Sequence, residues 1–441
     1  MSAPHSGPGR YVEAYRAFAG NGAGSAPAWL RELRESAIAS FGALGFPRAS
    51  DEAWRFTNVT ALAESDFAPA PAPPPGSRDG PLGPPGVARH RLVFVNGRYD
   101  AAASETAGIP AGVTVAGLGQ ALKRDPEFAR AHLGRSGAHE RNPFAALNTA
   151  FLSDGAYVHV GAGVEWMDPL EVLFLSVPGG GPTVSHPRLL VVVERQARVA
   201  VVESYTGEGM YWVNPVTEVA VAEGARADLY RVQRDSLRAY HVATTHSRQG
   251  RDSVVNVHPV ALGAALARHD ITAVLDGEGA RCLLNGLYLG EGTQHFDHHT
   301  VIEHAKPHGE SHEYFNGVLD DRSRGVFAGR IVVRPGAQRT DSKQTNNNLL
   351  LSEEARADSQ PQLEIYADDV KCTHGATLGP IDQKALFYLK SRGLGRDEAR
   401  AMLTYGFGAE VLARMDVPAL REQLDGVVRE RLLGSAGGVA G

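Results

Sequence analysis

The sequence predicts a mainly β protein in which a large strand-rich domain lies between two helical regions. Between about residues 150 and 370, short segments rich in Val, Ile and Leu follow one another, and Gly, Asn and Asp separate them. No amphipathic helix pattern interrupts this series. Apolar residues before residue 63 and after residue 380 instead recur at helical spacing. So many consecutive strands fit a sandwich, a barrel or a solenoid.

The N-terminal region, residues 1–67, is predicted to be helical and to end at a stiff, polyproline-like linker that marks a domain boundary. Its apolar residues recur at helix spacing before a stop at Phe46-Pro47. Residues 68–90 then form a Pro/Gly-rich linker, because residues 68–86 hold eight of the 26 prolines. The helical positions are Trp29, Leu30, Leu33, Ala37 and Phe41.

The β domain is predicted to span residues 91–379, with most of its strands after residue 150. Two similar phrases, Glu223-Gly-Ala-Arg and Glu278-Gly-Ala-Arg, are each followed by a strand and indicate stacked turns. No strict short repeat is present, however. Periodicity alone therefore does not choose between the three arrangements.

The C-terminal region, residues 380–441, is again predicted to be helical. Pro418 begins a last helix that carries an apolar stripe. The stripe is wider than one short helix needs for packing within the chain, so we expect these helices to dock a partner protein. Its members are Leu420, Leu424, Val428 and Leu432.

Composition and charge argue against several classes of protein. The 441 residues carry a net charge of −6 with acidic and basic residues interleaved, which argues against nucleic acid or an anionic membrane as the main partner. No apolar run reaches the length of a membrane span, and the first residues show no secretory signal pattern. Only two cysteines, Cys282 and Cys372, are present. We therefore expect a reducing, cytoplasmic location.

Enzyme motifs are absent, and we expect a protein without catalytic activity. The sequence has no P-loop, no G-x-S-x-G, no H-E-x-x-H and no C-x-x-C motif. Two carboxylate pairs, Asp320-Asp321 and Asp368-Asp369, leave a carbohydrate-active β-helix enzyme as an alternative. Adjacent strand residues face opposite sides, however, and Asp320-Asp321-Arg322 resembles a turn.

Six of the 17 histidines lie within 18 residues, which raises the alternative of a stand-alone metal-binding protein. In a strand, His295 and His299 face one side and His298 faces the other. This favours an exposed polar edge or interface over a metal site. The six are His295, His298, His299, His304, His308 and His312.

The segment Lys371-Cys372-Thr373-His374 contains a second candidate site. Cys372 and His374 are two residues apart, so in an extended segment both side chains emerge on one face. A sulfur beside an imidazole can bind a metal, and Lys371 is expected to favour the thiolate. A buried structural cysteine beside an unrelated histidine is the alternative.

Residues 285–394 closely resemble the shared core of the SufB/SufD family of iron–sulfur cluster assembly proteins. Weaker similarity extends to Asp51-Glu-Ala-Trp-Arg-Phe-Thr and Asn142-Pro-Phe-Ala-Ala-Leu-Asn. The SufD branch fits best, because SufB proteins carry a further cysteine in the β body, whereas Cys282 has apolar neighbours and is expected to be structural. The distinctive pieces are Arg324-Gly-Val-Phe-Ala-Gly-Arg-Ile, Ala337-Gln-Arg-Thr-Asp, Asn346-Asn-Asn-Leu-Leu-Leu-Ser, Pro361-Gln-Leu-Glu-Ile-Tyr-Ala-Asp-Asp-Val-Lys-Cys, His374-Gly-Ala-Thr and Phe387-Tyr-Leu-Lys-Ser-Arg-Gly.

The resemblance implies a right-handed parallel β-helix, or β-solenoid, flanked by helical regions. It implies a scaffold that pairs with a SufB-type paralogue and docks a SufC-type ABC ATPase through its C-terminal helices, which accounts for the missing P-loop. The implied cargo is a transient iron–sulfur cluster at the paralogue interface, with His374 and Cys372 as its ligands from this chain. A reduced flavin in the whole complex is also implied. Because a solenoid without its partner has exposed strand edges, a homodimer of the isolated chain is a further expectation.

Overall fold

Two parallel β-sheets built from alternating strands form the body of the protein, which a computed structural model describes at residues 7–20, 26–71 and 87–433. From β5 onward, strands entering opposite sheets complete successive coils, and adjacent coils stack through parallel hydrogen bonding. About eight coils result, with helices at both ends of the chain. The predicted β-solenoid is therefore confirmed over the sandwich and the barrel.

Among the described residues, the first sheet contains twelve strands and the second contains ten. Those of the first are β1 (Ala68–Pro69), β4 (Val113–Gly117), β5 (Gly155–Val160), β7 (Thr183–Ser185), β8 (Arg188–Val193), β10 (Tyr211–Val213), β11 (Val216–Val221), β13 (Tyr240–Gln249), β15 (Leu266–Leu275), β17 (His295–His304), β19 (Arg324–Val333) and β21 (Arg356–Ile365). Those of the second are β2 (His90–Val95), β3 (Arg98–Tyr99), β6 (Glu165–Ser176), β9 (Arg198–Gly207), β12 (Arg226–Arg234), β14 (Val254–Ala261), β16 (Arg281–Gly290), β18 (Glu310–Leu319), β20 (Asp341–Leu350) and β22 (Lys371–Gly379).

Helices occupy the two ends of the described chain. No helix among the described residues is both long and apolar enough to cross a membrane. The predicted linker differs in part, because Ala68–Pro69 pairs with β7 and His90 begins β2, while residues 72–86 lie outside the described residues. The helices are α1 (Pro8–Gly20), α2 (Ala28–Leu44), α3 (Thr60–Glu64), α4 (Leu118–Arg124), α5 (Pro126–His132), α6 (Pro143–Ala150), α7 (Gln383–Ser391), α8 (Arg396–Leu412) and α9 (Pro418–Leu433).

Alternation along the strands creates columns of side chains inside the solenoid. Every second residue of a strand faces inward, and parallel register places it beside the equivalent residue of the next coil. Cys282, for example, lies in one column between Val255 and Ser311 and is fully buried. Burial raises the pKa of its thiol. The prediction that Cys282 is a structural thiol is confirmed.

At the turns between strands, residues in the left-handed backbone conformation stack from one coil to the next. Gly224 and Gly279 of the two predicted turn phrases both adopt positive φ, at 65° and 71°. The amide of Gly224 donates to the carbonyl of Arg251 in the next coil, and that of Gly279 donates to the carbonyl of Pro307. The repeated phrases therefore do mark stacked turns, as their sequence predicts.

The C-terminal helices pack on the outer face of the second sheet. Leu420, Leu424 and Val428 of α9 are fully buried, in one cluster with solenoid residues such as Leu287 and Leu289. The expectation that this stripe is left over for a partner is therefore wrong. Three of its four residues are buried within the chain and Leu432 is half-buried, because the second sheet presents an apolar outer face that α9 covers.

The N-terminal region packs on the outer face of the first sheet through a buried cation. The guanidinium of Arg268 lies 3.6 Å from the centroid of the Trp54 ring and donates to the carbonyl of Ala53 at 2.7 Å. It also donates to Asp297 at 2.7 Å and forms an ion pair with Asp270. Trp54 of the Asp51–Thr57 motif thus stacks on Arg268 of β15, which explains why this position is aromatic.

Candidate functional site

The last coil of the solenoid consists of β21 and β22, which are the terminal strands of the two sheets. β21 is paired with β19 and β22 with β20. No described residue pairs with their other edges, and almost all of their residues are exposed or half-buried. The solenoid therefore ends in two free strand edges, which we call the open end.

Cys372 and His374 both lie on β22 at the open end. They are two residues apart in an extended strand, so the predicted shared face is present. In register, Cys372 lies beside Ser342 and His374 lies beside Gln344. Because Ser342 and Gln344 are buried positions of interior columns, the two candidate residues extend these columns to the open end.

The two candidate residues differ in their environment. Cys372 is half-buried and packs against the small apolar cluster that contains Ile331 and Ala337, whereas His374 is exposed. Burial raises the pKa of the Cys372 thiol, and the carboxylate of Asp341 raises it further. The expectation that Lys371 favours the thiolate is wrong, since the strand neighbour Asp341 and burial both favour the thiol.

Two hydrogen-bonded columns run into the solenoid behind these residues. Behind Cys372, the hydroxyls of Ser342 and Ser311 lie 2.8 Å apart, and Ser311 lies 2.8 Å from Nε2 of His304. Behind His374, Nε2 of Gln344 donates to the buried carboxyl of Glu313. Each candidate residue at the open end therefore has a polar column behind it instead of an apolar one.

Sequence reasoning missed these column residues because they lie about thirty residues apart along the chain. Ser311, Ser342 and Cys372 become neighbours only through the register of three strands. The sequence did contain one indication of these columns, because a polar residue occupies every second position of β20. A polar inward face is unusual for a packed core.

Glu313 is the titratable group of the second column. Burial raises its pKa to about 7, although the neighbouring Thr300 and Gln344 lower it. At a given pH, its carboxyl is therefore more often protonated, and so uncharged, than that of an exposed glutamate. In the folded protein it binds a proton over a pH range in which the unfolded chain does not.

Replacing Glu313 with glutamine is expected to stabilise the protein more at pH 8 than at pH 5. The carboxyl pKa is raised on folding, so the folded state binds more protons between the two pKa values and the stability of the wild type falls as pH rises through this range. The difference is up to about 3 kcal/mol. Urea unfolding of both proteins at both pH values measures it. An equal effect at both pH values contradicts the assignment, and Glu310→Gln on the outer face of β18 is the control.

The histidine run does not form a metal site in the described part of the chain, where no group of three His, Cys, Asp or Glu could hold a metal ion. The predicted opposition of faces is confirmed, but the predicted exposed edge or interface is wrong for the two buried members of the run. His298 and His304 are buried inside the solenoid, and the ring of His298 stacks on Tyr288. His295 and His299 are half-buried beside Asp297, under the N-terminal region.

The remaining two histidines of the run lie on the surface. His308 adopts the left-handed conformation of the stacked turns, with φ 60°. His312 is on the outer face of β18, 3.7 Å from Glu310. Among the described residues, neither histidine is hydrogen-bonded to Cys372 or His374.

The carboxylate pairs occupy turns. Asp321 has φ 50° and accepts a hydrogen bond from the amide of Gly292, which confirms the predicted turn. Asp369 pairs with Arg339 in the next turn of the stack. A cleft of about 590 Å³ between α8, α9 and the solenoid does include Asp320 and Asp321, but its lining contains no aromatic side chain. Stacking surfaces for sugar rings are therefore missing from this cleft.

Comparison with known proteins identifies matching families over most of the chain. The family described as SUF system FeS cluster assembly, SufBD core domain, matches residues 175–407. The family described as SufBD protein N-terminal region matches residues 84–172. Together the two matches cover the solenoid and part of the C-terminal helical region.

Curated relatives span nearly the same length. An iron–sulfur cluster assembly SufBD family protein of Synechocystis is 34% identical over 409 residues, which cover 90% of this chain and 89% of the relative. The iron–sulfur cluster assembly protein SufD of Escherichia coli is 31% identical over 398 residues, with 89% of this chain and 90% of the relative covered. A SufBD family protein of Mycobacterium leprae is 27% identical, with 93% and 96% covered.

Proposed function

The chain belongs to the SufBD family of the SUF system for iron–sulfur cluster assembly, and from this membership we propose that it is a SufD-type, non-catalytic scaffold subunit. Its partners in this proposal are a SufB-type paralogue and a SufC-type ABC ATPase. Its cargo is a nascent iron–sulfur cluster, held for a time between this chain and the paralogue.

The open end is the observation that carries the proposal. Two strand edges with unpaired backbone groups form a template on which a second solenoid can continue both sheets. Leu378 and Tyr366 are 58% and 59% exposed there, so apolar surface accompanies the free edges. A partner with a matching end would bury this surface and complete the backbone pairing.

Cys372 and His374 then lie at the junction of the two solenoids. Thiolate sulfur and neutral imidazole both bind iron, and both occur as ligands of iron–sulfur clusters. Two ligands from one chain do not complete a first shell, so the paralogue must supply the others. An incomplete set suits a scaffold, because the cluster must leave after assembly.

The raised pKa of Cys372 fits the same role. The thiol is protonated in the isolated chain, which protects it from oxidation, and iron binding displaces the proton. A scaffold that gains its ligand only when iron arrives avoids a permanently reactive thiolate at an exposed strand edge.

Exposed apolar residues of α7 and α8 are the proposed docking surface for the ATPase. Phe387 is 73% exposed and Met402 is 53% exposed, whereas the apolar stripe of α9 is buried. Large apolar side chains on a helical surface are typical anchors of protein interfaces. Nucleotide hydrolysis is then supplied by the partner.

Co-expression of the chain with the paralogue and the ATPase tests the proposal. We expect one complex that contains all three proteins and retains iron and acid-labile sulfide after anaerobic purification. The double variant Phe387→Asp/Met402→Asp is expected to lose the ATPase, by at least about ten-fold in affinity, but to keep the paralogue. Leu424→Ala is the control, because it should lower the melting temperature without removing the docking surface. Failure of the wild-type chain to bind the paralogue contradicts the proposal.

A further inference from the structure

The amide of Gln344 is buried and only half satisfied. Its Nε2 donates to Oε2 of Glu313, and this bond sets the orientation of the carboxamide. The other end of the group, Oε1, is buried and has no hydrogen-bond partner among the described residues. A buried acceptor without a donor is costly, on the order of the desolvation of one polar group. The structure therefore lacks a donor at this position.

His374 is the next residue of the same column. It lies in register with Gln344 on the neighbouring strand, and strands of a sheet are about 4.8 Å apart. Both side chains are on the same side of their sheet, because Gln344 points inward and β22 continues the alternation of β20. A neutral imidazole carries one N–H donor and one lone pair. It can therefore supply the donor that Gln344 lacks.

We propose that Gln344, oriented by Glu313, is a positioning residue for His374: its Oε1 accepts the N–H of the His374 ring and leaves the other ring nitrogen free to bind iron. The inference rests on the proposed function and adds the residues that prepare the ligand. The bond forms when the exposed His374 ring is confined at the junction with the paralogue. Ligating histidines generally donate their second nitrogen in this way, which fixes the tautomer and the direction of the ring.

The hydrogen bond to Glu313 favours one of the two orientations of the Gln344 carboxamide. Glu313 is 2% exposed and its Oε2 accepts from Gln344. When the Glu313 carboxyl is ionised it can only accept hydrogen bonds, so a reversed carboxamide would place two acceptor oxygens together. The neighbouring column differs, because Ser342 already has a hydroxyl partner in Ser311. Among the inward-facing residues of β20, Gln344 alone has a buried polar side-chain atom without a hydrogen-bond partner among the described residues.

Three variants of the full chain, each assembled with the paralogue and the ATPase, test the inference. Gln344→Met removes the acceptor at similar volume, and Glu313→Met removes the group that orients the carboxamide. Asn346→Leu removes an equally buried amide at the next inward-facing position of β20, two residues further along and beside Ala376 instead of His374. The measurements are iron and acid-labile sulfide per complex, the rate at which bathophenanthroline removes iron, and the melting temperature.

We expect iron removal from Gln344→Met to be about ten-fold faster than from wild type. Asn346→Leu should lower the melting temperature as much as Gln344→Met yet leave iron removal unchanged. Glu313→Met, which frees the carboxamide to rotate, should also speed iron removal. Equal iron removal from Gln344→Met and Asn346→Leu overturns the inference. A normal iron load in His374→Ala would instead overturn the proposed site, so the two failures are distinguishable.

Discussion

Replacing His374 with alanine is expected to reduce the iron and acid-labile sulfide of the assembled complex by at least about ten-fold while leaving the chain folded. His374 is exposed at the open end and its side chain forms no hydrogen bond with the described residues, so its removal should cost little stability. As a ligand in an incomplete first shell, however, it has no substitute on this chain. The measurement is iron and sulfide per complex after anaerobic purification, with circular dichroism and paralogue binding recorded in parallel.

His312→Ala is the matched control for this experiment. His312 is also partly exposed and also lies in the second sheet, but its side chain is on the outer face of β18. Its loss should leave the cluster load unchanged. Cys372→Ser should have an effect similar to or smaller than that of His374→Ala. If His374→Ala complexes carry a normal load and His312→Ala complexes are empty, the site lies on the outer face of the solenoid.

Replacing Asp297 with alanine is expected to lower the free energy of unfolding by about 3–5 kcal/mol. Arg268 is 2% exposed, and its charge is balanced by Asp297, which is buried, and by Asp270, which is only partly buried. Removing Asp297 leaves a buried guanidinium with a weaker counter-charge and removes the acceptor for the Thr57 hydroxyl. The N-terminal region, which stacks Trp54 on Arg268, should loosen first. Urea unfolding followed by tryptophan fluorescence measures the change.

The pH dependence of this contribution has a defined sign. Burial alone raises the pKa of Asp297, but Arg268 and His299 outweigh it and hold the pKa well below its usual range. The stabilisation is therefore present above the pKa of an unfolded aspartate and is lost as pH falls. Asp276→Ala, which breaks a more exposed pair with Arg248, should cost under about 1 kcal/mol. Equal costs for the two variants would show that the buried pair is not a structural anchor.

The histidine run shows which part of the site the sequence could predict. The alternation of strand side chains correctly separated His295 and His299 from His298. It could not tell which face is interior, because that depends on where the coil closes. His298 therefore proved to be buried against Tyr288 instead of lying at an edge, and His298→Ala should be destabilising.

Two other expectations failed for a similar reason. One concerned the effect of Lys371 on the pKa of Cys372, and the other concerned the docking of a partner on the α9 stripe. Lys371 is the chain neighbour of Cys372, yet Asp341, thirty residues earlier, has the stronger effect on its pKa. The stripe of α9 was correctly predicted to be apolar, but the surface that covers it belongs to strands far away in the chain. An amphipathic pattern indicates that one face of a helix is buried, but it does not indicate which surface covers that face.

By itself, the sequence determined the strand-rich body between helical ends, the stacked turns, the family and the shared face of Cys372 and His374, because each depends on local spacing or on a long shared motif. Only the tertiary structure decided the register of the coils. Register placed Gln344 and Glu313 behind His374, buried Cys282 and His298, and left the outer edges of β21 and β22 without a partner among the described residues. The physical reason is that hydrogen bonding between coils joins residues about thirty positions apart, and no local pattern specifies which of them become neighbours.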